Sequence, residues 1–150
     1  MSQLHKFLFE GLPVRGMLVQ LTDVWQEILK RRATNLETGA YPEPVRHLLG
    51  EMTAAAVLMQ SNIKFNGALV MQIFGDGPLK LAVVEVQPDL SVRATAKVVG
   101  NIDGAQTLST MVNVNNAGRC AITLDPLTKL PGQQPYQGVV PLFDDHRNKI

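Results

Sequence analysis

The segment from Pro42 to Asn62, PEPVRHLLGEMTAAAVLMQSN, is the most constraining part of this chain. It opens on prolines that fit a helix start, since a proline at the first helical position loses no needed N–H. It then runs from Met52 to Gln60 without a charge. A helix of that composition has no polar side to turn to water, so it belongs in a core, covered on more than one side. About 20 residues at ~1.5 Å each give a rod of roughly 30 Å, nearly the width of a small domain. The spacing predicts a spine helix over about Pro44 to Asn62, with Leu48, Met52, Ala55 and Met59 on one stripe and Ala56 beside it.

Strands dominate the chain beyond the spine. Phe65 to Phe74 and Leu79 to Val86 are rich in Leu, Val, Ile and Met, and the GDGP between them supplies the glycines of a tight reversal, so the pair reads as a hairpin. Val92, Ala94, Ala96 and Val98 alternate with Arg93, Thr95 and Lys97, the period of a half-buried strand with one face in water. A short helix is expected at Leu108 to Val112, with further strands at Arg119 to Leu124 and Tyr136 to Leu142. Before the spine, Leu4 to Phe9 and Val14 to Leu21 read as strands split by EGLP. Val24, Trp25, Ile28 and Leu29 then repeat at helical spacing behind an Asp23 cap with Gln26 three residues on. The fold class is α+β.

Composition limits the possible functions. The 150 residues are 45% hydrophobic with a formal charge of +1, which suits one domain with a real core and leaves no cationic surplus for phosphate backbones. Nucleic acid is therefore not expected as a partner, and Lys30, Arg31 and Arg32 read as a solvated helix end favoured by the dipole. No stretch reaches the ~18 apolar residues of a membrane span, and there is no signal pattern, so no membrane partner and a cytoplasmic location are expected.

Candidate chemistry is sparse. Cys120 is the single cysteine and lies in the apolar alternation RCAITL, with His5, His47 and His146 remote in sequence. It reads as a buried strand residue rather than a nucleophile. His47 and Glu51 share a helical face and would make half a metal site, without a third ligand of suggestive spacing. GDGP lacks the following helix whose N-terminus would hold an anion, so it reads as a turn rather than a phosphate loop. Met52, Met59, Met71 and Met111 suit core filling better than an adaptable binding surface.

The segments LHKFLFE, VRG, QEIL, YQGVV and above all the block from Tyr41 to Val86, with its KFNG junction and GDGPLKLAV, together resemble the N-terminal domain of the heat shock protein 33 family. These are the 33 kDa redox-regulated chaperonins of bacteria. The resemblance covers nearly the whole chain. It implies a three-layer β/α/β arrangement, with the buried helix between mainly antiparallel sheets. It also implies an ATP-independent holdase and homodimer that binds unfolded or oxidatively damaged proteins under oxidative and heat stress. In that family a separate C-terminal zinc module carries C-x-C and C-x-x-C pairs as the redox switch. None of those cysteines is in this sequence.

Residues 1–150 are accordingly expected to be a client-binding and dimerisation domain truncated at its C-terminal end after FDDHRNKI, without the zinc module and with no cofactor of its own. Phe65, Leu69, Met71, Ile73, Leu81 and Val83 are the client-binding candidates, because the hairpin strands carry more apolar positions than one core-facing side requires. The competing readings are a small-molecule enzyme using the Gly75-Asp76-Gly77-Pro78 turn with His47 and Glu51, and a structural dimerisation module. With one thiol and no ligand cluster, the chain should bind no stoichiometric zinc and form no internal disulfide after peroxide. Native and oxidised mass spectra test this, and one zinc held tightly per chain would overturn it.

Overall fold

The computed structural model describes residues 1–142. His146 and the rest of FDDHRNKI lie outside the described residues. The elements run β1 (Gln3–Leu8), β2 (Arg15–Gln20), α1 (Asp23–Ala33), α2 (Glu43–Asn62), β3 (Gly67–Phe74), β4 (Leu79–Val86), β5 (Val92–Val98), α3 (Leu108–Val112), β6 (Arg119–Pro126) and β7 (Tyr136–Pro141). They form two antiparallel sheets with α2 between them: β1–β2, and a five-stranded sheet in the order β5-β4-β3-β6-β7. The α+β class and the layered arrangement thus agree with the sequence reading.

The spine helix starts where the prolines put it, with Pro42 at the cap and Pro44 in the first turn. Its deepest stripe is Val45, Leu49, Met52 and Ala56, flanked by Thr53, Val57 and Gln60. These residues pack on Leu69, Met71 and Ile73 of β3 and Ala82, Val84 and Val86 of β4. Each of the two buried polar side chains on α2 makes one hydrogen bond, the Gln60 Oε1 remaining without a partner among the described residues. The Thr53 hydroxyl donates to the Leu49 carbonyl at 2.6 Å, and Gln60 Nε2 donates to the Gly67 carbonyl at 3.0 Å. Gly67 lies before the first β3–β4 pair, Leu69 with Val86, so the helix supplies this donor to the sheet.

Three expectations need correction. The stripe Leu48, Met52, Ala55, Met59 is rotated from the true core line: only Met52 is buried, Leu48 and Ala55 are half-buried, and Met59 is 37% exposed. In a helix apolar almost all the way round, polarity does not reveal which stripe faces the sheet. Asp23 is not the cap of α1. Thr22 occupies that position without a side-chain bond, while the Ser2 hydroxyl accepts from the amides of Thr22 and Val24. The Asp23 carboxylate instead accepts from the Ser2 hydroxyl and amide, tying β1 to α1.

Nor is the KRR run merely solvated. Arg31 pairs with Glu27 at 2.9 Å, while the Arg32 guanidinium stacks 4.4 Å from the centre of the Tyr41 ring and donates to the carbonyls of Gly39 and Ala96. The Tyr41 hydroxyl accepts from the Ala96 amide, so the outer edge of β5 is partly closed.

On the other side of α2, Trp25 of α1 lies against Gly50, where an added Cβ would come within 3.4 Å of the indole. The Ser61 hydroxyl approaches the sulfur of Met17 in β2 at 3.9 Å, and Lys6 in β1 donates to the Ser61 carbonyl at 3.3 Å. Ala56, at 0% exposure in the core stripe, is a position where a charge would be poorly tolerated. Ala56→Asp should destabilise the fold by roughly 3 kcal/mol or more, against about 1 kcal/mol for Ala55→Asp. Paired thermal melts check this, and equal melting temperatures for the two variants would put the helix in another orientation.

Candidate functional site

β3 is the central strand, hydrogen-bonded on both sides, and its pleat sorts the sequence-derived candidates. Leu69, Met71 and Ile73 point to α2 and lie in the core cluster, Leu69 at 1% exposure. Leu81 and Val83 of β4 stand opposite Phe74 and Gln72, on the outward face, half-buried. Phe65 precedes β3, and its ring abuts Gly67. The structure therefore places five of the six candidates on two sides of one sheet and Phe65 just before it. A chain of continuous apolar residues hides this division, because the period of two is visible only when polar residues alternate with apolar ones.

The outward face can be built row by row from the strand register. One row reads Lys97, Leu81, Phe74, Arg119, Pro141 and the next Thr95, Val83, Gln72, Ala121, Val139. A third row holds Glu85, Val70 and Thr123, with Arg93 bonded to Glu85 at 2.9 Å. Phe74 is 44% exposed and Val139 48%. The face is thus an apolar strip through Leu81, Phe74, Val83 and Val70 with basic residues along its border. Sequence reasoning missed Val70, Phe74 and Val139, which the parity of β3 would have indicated once its register was fixed.

A second apolar surface lies on the α2 side, beyond the helix's reach. Met59 and Ile63 at the end of α2 face Cys120, Ile122 and Leu124 of β6 and Tyr136 and Val140 of β7 across a groove of about 450 Å³. The groove lining contains no charged residue. Of the four methionines weighed above, Met52, Met71 and Met111 fill the core and Met59 lines this groove.

The features weighed for catalysis do other work. The Asp76 carboxylate accepts from the backbone amides of Val114, Asn115 and Ala117 at 2.7, 2.8 and 3.0 Å. The amide cradle that an anion would need is occupied by this side chain, and the Asp76 amide donates back to the Val112 carbonyl at 3.1 Å. Gly77 is required there, since a Cβ would come within 2.6 Å of the Met111 carbonyl. His47 faces Glu43 at 3.6 Å rather than Glu51. The cavity beside His47 and Glu51 is lined by α2 and the 104–111 segment and includes no residue of the GDGP turn. No three His, Cys, Asp or Glu side chains among the described residues are grouped to hold a metal. Partial burial raises the Cys120 thiol pKa, which keeps it protonated and a poor nucleophile.

Desolvation pushes the Asp76 pKa up, but the amides of Ala117, Asn115 and Val114 outweigh it and hold the carboxyl below its ordinary value. Hydrogen bonds from the Ser2 hydroxyl and amide lower Asp23 to about 2. Both groups are more acidic folded than unfolded, so the stability they confer is complete above the unfolded value of about 4. It is lost as pH falls through their lowered folded values, about 2 for Asp23. Thermal melts between these limits should show a steep decline, and Asp76→Asn should lower the melting temperature at neutral pH while flattening that decline. An unchanged pH profile would remove Asp76 from this role.

Comparison with known proteins bears on the same chain. The family model described as Hsp33 protein matches residues 2–147. The 33 kDa chaperonin of Chromobacterium violaceum is 46% identical over 144 residues, which are 96% of this chain and 45% of that protein. That of Methylobacillus flagellatus is 46% identical over 142 residues, 94% of this chain and 44% of the relative. The chain thus spans a little under half the length of these curated relatives. Among solved structures, the 33 kDa chaperonin of Thermotoga maritima, a heat shock protein 33 homolog, superposes with a TM-score of 0.67 at 19% identity. That match covers 93% of this chain and 45% of the other, and it shows the fold alone.

Proposed function

The chain belongs to the Hsp33 protein family, and from that premise we propose that it is the N-terminal, client-binding part of an ATP-independent, redox-regulated holdase. The observation that carries this reading is the outward face of the five-stranded sheet. Leu81, Phe74, Val83 and Val70 form a strip whose opposite side alone is packed on α2. Phe74 is exposed and the other three are half-buried, and contiguous accessible apolar surface is the kind that marks interaction sites on soluble proteins. An unfolding protein offers the matching chemistry, since it exposes apolar side chains and binds wherever they can be removed from water. Of the six candidates drawn from the sequence, Leu81 and Val83 suit this role in the folded chain. Leu69, Met71 and Ile73 would be available to a client only if α2 moved away.

The partners in this reading are unfolded or oxidatively damaged proteins and a second copy of the chain in a homodimer, in the cytoplasm. Relatives named as chaperonins suggest a protein that is not an enzyme. The Asp76 carboxylate filling its own amide cradle gives the small-molecule alternative no support. The redox sensor in this reading is a zinc module lying outside these 150 residues, and the dimerisation surface is a second role of the same domain. No helix among the described residues is long and apolar enough to cross a membrane.

Without a switch in these residues, client binding should be constitutive. The chain, in molar excess, should suppress light scattering from a thermally unfolding client equally in dithiothreitol and in peroxide, without ATP. Phe74→Ser combined with Val83→Ser should reduce that suppression several-fold while the melting temperature changes little. Suppression only after oxidation would place a sensor within this chain. No suppression by a folded chain would leave dimerisation as its role.

A further inference from the structure

Two cations without a carboxylate partner among the described residues close the apolar strip at either end of a single row. Lys97 on β5 stands beside Leu81, Leu81 beside Phe74, and Phe74 beside Arg119 on β6. Both Lys97 and Arg119 are exposed, and among the described residues neither has a carboxylate within 4.0 Å, whereas Arg93 two positions along β5 has Glu85. Strand parity sends all four side chains of the row to the same face, since Val98, Ile73 and Cys120 next to them turn to the α2 side.

Like-signed charges flanking an apolar pair impose a preference on whatever docks there. We propose that this row selects extended client segments in which an apolar residue is flanked by acidic ones. This deepens the client-binding reading above and rests on it. Three strand spacings of about 4.8 Å separate Lys97 from Arg119, which is ~14 Å between backbones. An extended peptide advances ~3.4 Å per residue and turns alternate side chains to one side. Acids four residues apart therefore reach the two cations, and the residue midway between them meets Leu81 and Phe74. The preferred pattern is acid-x-apolar-x-acid. A helix would need about nine residues to cover the same distance, placing its apolar residues out of step with the row.

The selectivity is modest by construction. Exposed ion pairs are worth a factor of about two to five each in affinity and are screened by salt. Fluorescence anisotropy of the 150-residue chain with two labelled peptides reads it out: one with Glu-Ser-Leu-Ser-Glu at its centre, the other with Lys in place of both Glu. The Glu peptide should bind about tenfold tighter near physiological ionic strength. That advantage should shrink towards parity near 1 M salt, where the screening length is about 3 Å. The double variant Lys97→Glu, Arg119→Glu, which changes only exposed positions, should reverse the order of the two peptides. Equal binding of both peptides, with replacement of the central Leu by Ser still weakening each, would overturn the selectivity and leave the apolar face as a general client site. Binding indifferent to charge and to the central Leu alike would overturn both.

Discussion

The register of β3 is the constraint on which the rest of the structure depends. This strand lies in the middle of the five-stranded sheet, paired with β4 over six residues on one side and with β6 over eight on the other. Its odd-numbered residues face α2 and its even-numbered ones face outward. A slip by one residue would exchange Leu69, Met71 and Ile73 for Val70, Gln72 and Phe74 at the helix, putting an amide into the core and three large apolar groups outside it. The register is held at both ends. At the start Gly67 is pressed so closely on the Asp125 carbonyl that no side chain fits, and Gln60 of α2 bonds its carbonyl. At the end, Gly75 carries the chain so close to the Leu79 carbonyl that a Cβ would clash with it, turning it back into β4.

Fixed polar contacts then set the periphery on this centre. Asp76 gathers three amides of the 114–117 loop under the β3–β4 turn and so joins α3 and the start of β6 to it. Arg32 and Tyr41 occupy polar backbone groups of Ala96 and thereby protect the β5 edge from pairing with another chain. Ser2 and Asp23 fasten the first strand to the start of α1. Each of these uses a residue that the sequence presents as a generic turn, charge or cap. With these in place, the outer face of the sheet is left as apolar surface while α2 covers the other side at β3 and β4. The proposed client-binding role rests on that face, since binding unfolded chains needs apolar area held open by a rigid frame.

Much of this was determined locally and was therefore legible from the sequence. The absence of charge from Met52 to Gln60 required a buried helix, the prolines set where it begins, and the glycines of GDGP required a tight reversal. These are properties of single segments, and no other part of the chain could alter them. The even alternation of β5 was equally plain. Tertiary structure alone decided which stripe of α2 faces the sheet and which parity of β3 and β4 faces outward. In uniformly apolar segments every stripe and either parity satisfies the hydrophobic requirement equally, so the choice falls to the partner that packs there. The same applies to the long-range polar partners: an aspartate in a turn states that it accepts hydrogen bonds, and only the fold brings the amides of Val114, Asn115 and Ala117 to it.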